Sequence, residues 1–230
     1  MRLARLSDTY WTLEYLALKN TTMIPFIIIS GSVDEEYGIL LLKKGARDFV
    51  QKDKMQRLSL AIRREIRQSG ELLASRLKTE EAYDRVIEAW GKALEIRDIY
   101  TKGHTDRVTA LSLRLAIDMN VSHSDFISLN RGAYLHDIGK MGIPDAVLLK
   151  QDTLTLDEME IMKMHPKIAY DMLKDVPFLK NAIIIPYCHH ERWNGTGYPQ
   201  GLQGSVDPFP GGNGIPFLAM IFSVIDIYDA

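Results

Sequence analysis

The amino-acid sequence predicts a mainly α protein, an all-helical bundle preceded by a partial α/β segment and a linker helix. Three observations carry that reading. A short β-branched run, Ile24-Pro25-Phe26-Ile27-Ile28-Ile29, ends at Ser30-Gly31 near the N-terminus. A long stretch with apolar residues at helical spacing follows it. Beyond residue 95 the apolar pattern is helical throughout, with short connections.

Composition narrows the class. The chain has 230 residues and a formal net charge of −2, from 28 Lys+Arg against 30 Asp+Glu. At about 150 residues per domain this is roughly one and a half domains. Apolar residues at 46% and charged residues at 25% exclude wholesale disorder. The near-neutral balance argues against a nucleic-acid coat protein, so no DNA partner is expected. The single cysteine, Cys188, excludes an internal disulfide framework and fits a reducing compartment, here the cytoplasm. No apolar run reaches bilayer length; Phe217 to Ile225 is interrupted by Ser223. The N-terminal Met1-Arg2-Leu3-Ala4-Arg5 has no apolar region behind it, so neither a signal peptide nor membrane insertion is expected.

The elements follow in order. Both faces of the Ile24–Ile29 run are apolar, as in a buried parallel strand. Residues 34–44 read as a helix through Tyr37, Leu40, Leu41 and Lys44, ended by Gly45; residues 46–50 read as a second strand. Strand, helix, strand is one βαβ unit. Then Leu58, Ile62, Ile66, Leu73, Leu77, Val86, Trp90 and Leu94 recur with charges between them. That pattern gives one long amphipathic helix, or two meeting near Gly70 or Thr79. It is compatible with a coiled coil joining two copies of the chain, although the heptads are imperfect. Basic residues between Lys52 and Arg67 read as a solvated face. Further helices are expected at 105–119, 125–136, 157–165, 166–173 and 179–189. A Gly- and Pro-rich loop from Trp193 to Pro216 precedes a last apolar helix at 217–230. The layout is thus 1–55, a partial α/β domain; 56–94, a helical linker; and 95–230, the bundle.

Five of the six histidines stand in suggestive contexts: His104, His136, His165, His189 and His190. His123 lies in a polar turn and is set aside. A lone histidine on a helix is more often a satisfied core residue than a ligand. Five on one helical scaffold, with His136 beside Asp137 and with Asp226 in the last helix, reverse that expectation. Imidazole and carboxylate together suit Zn, Fe, Mn or Ni, and more than four ligands imply more than one metal. Neighbours in sequence lie about 100° apart on a helix, so each adjacent pair can serve two ions.

His136-Asp137-Ile138-Gly139-Lys140 resembles the signature of the HD superfamily of metal-dependent phosphohydrolases. Further on comes His189-His190-Glu191-Arg192-Trp193-Asn194-Gly195-Thr196-Gly197-Tyr198-Pro199, with Arg97 to Val108, Met164-His165-Pro166 and Asp226 to Ala230 in support. In that order the motifs resemble the HD-GYP family, whose members hydrolyse the bacterial messenger cyclic di-GMP. The resemblance covers about residues 82–230. It implies metal ligands at His104, His136, Asp137, His165, His189, His190 and Asp226, with Asp137 as the bridging carboxylate between two divalent ions. Iron or manganese is expected first, zinc or nickel otherwise. Two such cations lower the pKa of a shared water and clamp phosphate oxygens. Asp137 and Lys140 are the implied catalytic residues, with the Lys140 ammonium on a phosphate oxygen. Gly197, Tyr198 and Pro199, with Lys140, are the implied substrate-binding residues, and Gly195 and Gly197 let the loop turn sharply. Some relatives carry a Glu where this chain has Tyr100 and hold a third metal; two are expected here. Lys140 also suits the end of a helix, Tyr198-Pro199 an ordinary turn, and Cys188 a small buried thiol.

The N-terminal segment resembles the second half of a response-regulator receiver domain. The matching residues are Ile24–Gly31, Lys43 to Val50 and Lys52, with Ser30 at the switch hydroxyl. Asp53 replaces the usual Pro, and the half that carries the phospho-accepting aspartate is missing. The bundle also departs from its family. Residues 205–214 are longer than the usual link, Met220 stands where Arg is usual, and the sequence stops at Ala230, before a segment that grips the dinucleotide. The expected activity is cyclic di-GMP hydrolysis to linear pGpG, GMP or both, in two-component-type signalling with possible protein partners. The departures keep open a non-catalytic binding module of the same fold, and an HD hydrolase with another phosphate-ester substrate.

Overall fold

The computed structural model describes residues 25–31, 35–43, 45–98, 103–204 and 214–229. The expectations about the N-terminal residues, Lys44, Tyr100, the insertion after Gly204 and Ala230 lie outside them. The chain divides into two compact units, Met1–Glu81 and Ala82–Ala230, with the division inside one helix.

In the first unit, β1 (Ile27–Ser30) pairs in parallel with β2 (Asp48–Gln51), Ile27 opposite Asp48 and Ser30 opposite Gln51. The connecting helix α1 (Glu35–Lys43) is the crossover that a parallel pair requires. Leu41 and Ala46 are buried against Phe26 and Ile28. Ile27 to Ile29 are half-buried, not buried as the apolar run suggests, because the described sheet has only two strands. Ser30 is buried at the end of β1, and the Lys52 stem lies against Gly31 beside it. After a 3₁₀ turn at Lys52–Lys54, α2 (Gln56–Arg97) runs for 42 residues. At 1.5 Å per residue it spans about 63 Å. It does not break at Gly70 or Thr79: there is no proline, and the Thr79 hydroxyl donates to the Ser75 carbonyl at 3.0 Å. Leu60, Ile66, Leu72, Leu73, Leu77, Val86 and Trp90 remain exposed along it, whereas Leu94 is buried.

The second unit is helical. It contains α3 (His104–Asp118), α4 (His123–Tyr134), the short α5 (Asp145–Leu148), α6 (Leu156–Met162), α7 (His165–Leu173), the short α8 (Ile184–Cys188) and α9 (Phe217–Asp229). Caps set several starts: Ser122 accepts from the Asp125 amide, and Thr155 with Glu158 forms a reciprocal capping box. Val108, Leu129, Ile185, Leu218 and Phe222 form one core, through which α3, α4, α8 and α9 meet. Ile87, Leu135, Ile138, Leu173 and Leu179 form a second. Met220 packs beside Cys188, Ile215 and Ala219, a setting that suits its apolar side chain. Among the described residues no helix is long and apolar enough to cross a membrane.

Three expected helices are cut short, and all three cuts matter for the site. The helix expected at 157–165 ends at Met162, and His165 opens α7 instead. The helix expected at 125–136 ends at Tyr134, leaving His136 and Asp137 in a turn before a 3₁₀ segment, Ile138–Gly142. The helix expected at 179–189 becomes a 3₁₀ turn, Pro177–Leu179, a further turn, and α8. An unbroken helix would place Pro186 in its interior; restarting at Ile184 puts that proline in the first turn, where no amide is required. His189 and His190 therefore follow the helix and do not lie on it. The 100° argument for adjacent ligands is corrected accordingly: turn geometry, not helical periodicity, points each pair.

Candidate metal centre

The close packing of α7 against the 3₁₀ segment brings Asp137 and His165 together. Gly139 makes this possible, because a Cβ there would sit 1.8 Å from the His165 carbonyl oxygen. His136, His165 and His189 are all buried. Their Nδ1 atoms face backbone carbonyls: Ala133 at 2.8 Å, Met162 at 2.9 Å, and Ile185 and Pro186 at 3.2 Å each. On a neutral ring with its proton on Nδ1, each Nε2 is the lone-pair nitrogen, and it points inward.

Those lone pairs converge. Asp137, His165, His189 and His190 offer ligand atoms all within 4.8 Å of one another, and so do His104, His136 and Asp226. Asp137 stands between the groups. Its Oδ1 lies 3.4 Å from His165 Nε2 and 3.9 Å from His189 Nε2, while its Oδ2 lies 3.2 Å from His136 Nε2. His104 Nε2 is 3.1 Å from Asp226 Oδ1. The structure thus gathers all seven residues expected as ligands; His123 starts α4, exposed and apart.

The donor set fits a divalent cation. His165 and His189 place Nε2 atoms 3.4 Å apart, and both Nδ1 protons are already engaged. Two facing lone pairs repel unless a cation or proton sits between them. Burial, against Asp137's opposing field, lowers the His165 pKa. Burial and the neighbouring His190 push His189 well down, and burial with His165 brings His190 to about 4. Neutral imidazole is the form that binds metal. At His136 burial opposes protonation, but the Asp137 carboxylate outweighs it and raises the pKa. His104 is raised first by its hydrogen bond with Asp226. Burial would raise the Asp137 pKa, yet His136 and Lys140 hold it well below the usual carboxylate range.

Lys140 bridges two carboxylates, with Nζ 2.8 Å from Asp137 Oδ2 and 2.9 Å from Asp98 Oδ2. Burial works against its charge, but Asp137 and then Asp98 keep its pKa above the ordinary lysine value. Arg97 fastens the same turn by donating to the carbonyls of Lys140, Met141 and Ile143.

The loop after His190 folds back over the centre. The Tyr198 ring stacks on His190 with centroids 4.7 Å apart, and it meets His165 edge-on at 6.4 Å. Burial, and after it Asp137, pushes the Tyr198 hydroxyl up to about 12. The two loop glycines serve different ends. Gly195 has φ +76°, the turn expected of it. Gly197 is needed for close approach, since a Cβ there would lie 2.3 Å from the Arg192 amide nitrogen. Pro199 follows Tyr198 through a cis bond. Cys188 is buried with its thiol pushed up to about 12 by burial, and Gln200 Nε2 donates to its sulfur at 3.6 Å. That matches the small buried thiol.

Four contributors had no role assigned from sequence. Asp98 pairs with Lys140. Asp229 lies 2.8 Å from His104 Nδ1, and Arg107 donates to it from two nitrogens. Glu191 is buried and accepts from the Gln200 and Leu202 amides at 2.8 Å each, closing the loop. All four stand inside the motif strings, and Asp229 lies three residues after Asp226, the spacing of one helix face.

Residues 88–230 match the model of a family described as HD domain. The cyclic di-GMP phosphodiesterase response regulator RpfG of Xanthomonas campestris pv. campestris is 34% identical over 224 residues, covering 90% of this chain and 57% of that protein. A cyclic di-GMP phosphodiesterase of Thermotoga maritima is 40% identical over 153 residues, 66% of this chain and 39% of that protein. The 3'3'-cGAMP-specific phosphodiesterase 3 of Vibrio cholerae is 32% identical over 155 residues, 67% and 32%. The chain spans between about a third and somewhat over half the length of these relatives.

Proposed function

This chain belongs to the HD domain family, in its HD-GYP branch, and from that premise we propose that it is a two-metal phosphodiesterase that hydrolyses cyclic di-GMP to pGpG, GMP or both. The observation that carries the proposal is Asp137, whose two oxygens face two different histidine groups. One ion would be held by Asp137, His165, His189 and His190, and the other by His104, His136 and Asp226 with the second Asp137 oxygen. Iron and manganese are the proposed ions. Such ions supply positive charge for phosphate oxygens and make water a nucleophile at neutral pH.

The chain's own groups do the rest. Lys140 is a half-buried ammonium beside the bridging carboxylate, which favours its protonated form. It fixes Asp137 and presents its remaining N–H to a non-bridging phosphate oxygen. Tyr198, between Gly197 and Pro199 and stacked on His190, forms the wall against which the dinucleotide rests. Buried Phe222 packs on His136, with centroids 4.9 Å apart, and helps keep water from the protein side of the centre. The layout we propose is a receiver-like segment at 1–55, a linker at 56–94 and the HD-GYP domain at 95–230. The exposed apolar residues of α2 would join two copies, and the free Cys188 suits a cytoplasmic setting.

The test is metal content together with turnover. Purified chain loaded with Fe(II) or Mn(II) should hold two ions and convert cyclic di-GMP to linear product by chromatography. A folded sample with two ions and no hydrolysis would refute the enzymatic reading and favour a binding module. The 3'3'-cGAMP-specific relatives support a second reading, in which the substrate is another cyclic dinucleotide. A competition panel of cyclic di-GMP, 3'3'-cGAMP and a simple aryl phosphodiester decides between them.

A further inference from the structure

The histidines of the centre differ in what holds them. His136, His165 and His189 each turn Nδ1 to a backbone carbonyl. His104 turns Nδ1 to a carboxylate, Asp229 Oδ2, at 2.8 Å, while its Nε2 faces Asp226 Oδ1 at 3.1 Å. Asp229 is itself gripped: Arg107 donates Nε to Oδ1 and Nη2 to Oδ2, each at 2.8 Å. A two-pronged guanidinium–carboxylate pair fixes the plane of the carboxylate as well as its place. The spacing explains the closure. Arg107 follows His104 by three residues on α3, and Asp229 follows Asp226 by three on α9, so two same-face pairs meet across the helix contact.

A carboxylate on one imidazole nitrogen holds the proton there, sets the ring plane and makes the other nitrogen a better donor to metal. We propose that Asp229, clamped by Arg107, is a positioning residue for the His104–His136–Asp226 site. It holds the proton on Nδ1, so that Nε2 is the nitrogen that would be left for the ion, and it sets that site's affinity independently of the Asp137–His165–His189–His190 site. The inference rests on the two-metal reading and adds an assignment of unequal, separately tuned sites. The rival account is a structural ion pair that merely pins the end of α9 to α3. Such a pair would change stability and leave metal binding alone.

The experiment is Co(II) titration of the full chain, metal-free at the start, followed by calorimetry and visible absorption. Wild type, Asp229→Asn, Arg107→Ala and His104→Ala are compared, with thermal unfolding of each metal-free protein. Wild type should bind two ions. Asp229→Asn should bind one with unchanged affinity and the other about 10- to 100-fold more weakly, the range for loss of such a partner. The weakened ion should be the one that His104→Ala loses, and Arg107→Ala should weaken the same ion by a smaller factor. Two ions bound to Asp229→Asn with wild-type affinities would overturn the proposal. If Asp229→Asn does not fold, Arg107→Ala decides by the same criterion. A wild type that binds a single ion would instead refute the two-metal reading. Unchanged affinity for that ion in Asp229→Asn would then overturn this proposal too.

Discussion

Gly139→Ala tests whether the centre depends on the close approach of two backbones. The added Cβ would lie 1.8 Å from the His165 carbonyl oxygen, 2.7 Å from the Ala169 nitrogen and 2.8 Å from the His165 carbonyl carbon. All three are main-chain atoms of α7, so no side chain can swing aside. Relief to 3.0 Å, itself a tight contact, requires the 3₁₀ segment and α7 to part by at least 1.2 Å. Asp137 precedes that segment and His165 opens that helix, 3.4 Å from each other, so the same movement pulls the bridging carboxylate from one of its histidines. Overpacking of this kind costs about 1–3 kcal/mol. In a protein of this size each kcal/mol lowers Tm by about 2–4 °C, so the fall should be about 2–12 °C. Calorimetry of the metal-free variant reads the stability, and metal analysis after dialysis reads the site. We expect a fold that survives, a lower Tm and loss of at least one ion. A variant with two ions and a Tm within a degree of wild type would show that α7 yields freely, and the reasoning would be wrong.

Other perturbations probe different links. Lys140→Met removes the ammonium that the buried Asp98 and the half-buried Asp137 carboxylates share. Removing one partner of such a pair costs up to about 3–5 kcal/mol, and urea unfolding should show part of that loss restored by metal, which puts a cation back beside Asp137. A loss that metal leaves untouched would argue against Asp137 as a ligand. Glu191→Ala removes the charged acceptor of the Gln200 and Leu202 amides, two hydrogen bonds of about 1.5–3 kcal/mol each at most. Proteolysis within residues 192–204 should then accelerate, and cutting at the wild-type rate would contradict that. Acid tests His190, whose pKa is about 4 in the folded chain against 6.5 ordinarily. Between those values the unfolded chain binds more protons, so this group's share of stability falls as pH drops from 6.5 towards 4. Its full share is on the order of 3 kcal/mol. Metal-free His190→Gln should therefore lose less stability than wild type across that window, and parallel pH curves would refute the assignment.

Much of the site is legible in the linear chain because ligand chemistry restricts residue type. Histidines and aspartates in ordered motifs name the proposed ligands without any knowledge of their angles. The supporting residues are harder to read. Asp98 and Glu191 look like ordinary surface acids until their partners are known, and each partner lies well away in sequence or is a backbone amide. Asp229 could have been found from its spacing to Asp226, yet nothing local shows that both carboxylates reach one histidine on α3. The helix ends also escaped pattern reading. Apolar spacing continues past Tyr134 and across Pro186, but the turns that follow are what aim His136, Asp137, His189 and His190.

The sequence alone determined the helical class, the strand–helix–strand start, the helical character of the linker and the residue types proposed to hold metal. Each depends on local periodicity or on the chemistry of a single side chain. Tertiary packing decided which imidazole nitrogen faces inward, that Asp137 shares its two oxygens between two groups, that Lys140 sits between two acids, and that Gly139 and Gly197 are there for clearance. Those are relations between atoms brought together by burial, and a linear pattern holds no distances between segments that meet only when the cores of α3, α4, α8 and α9 close.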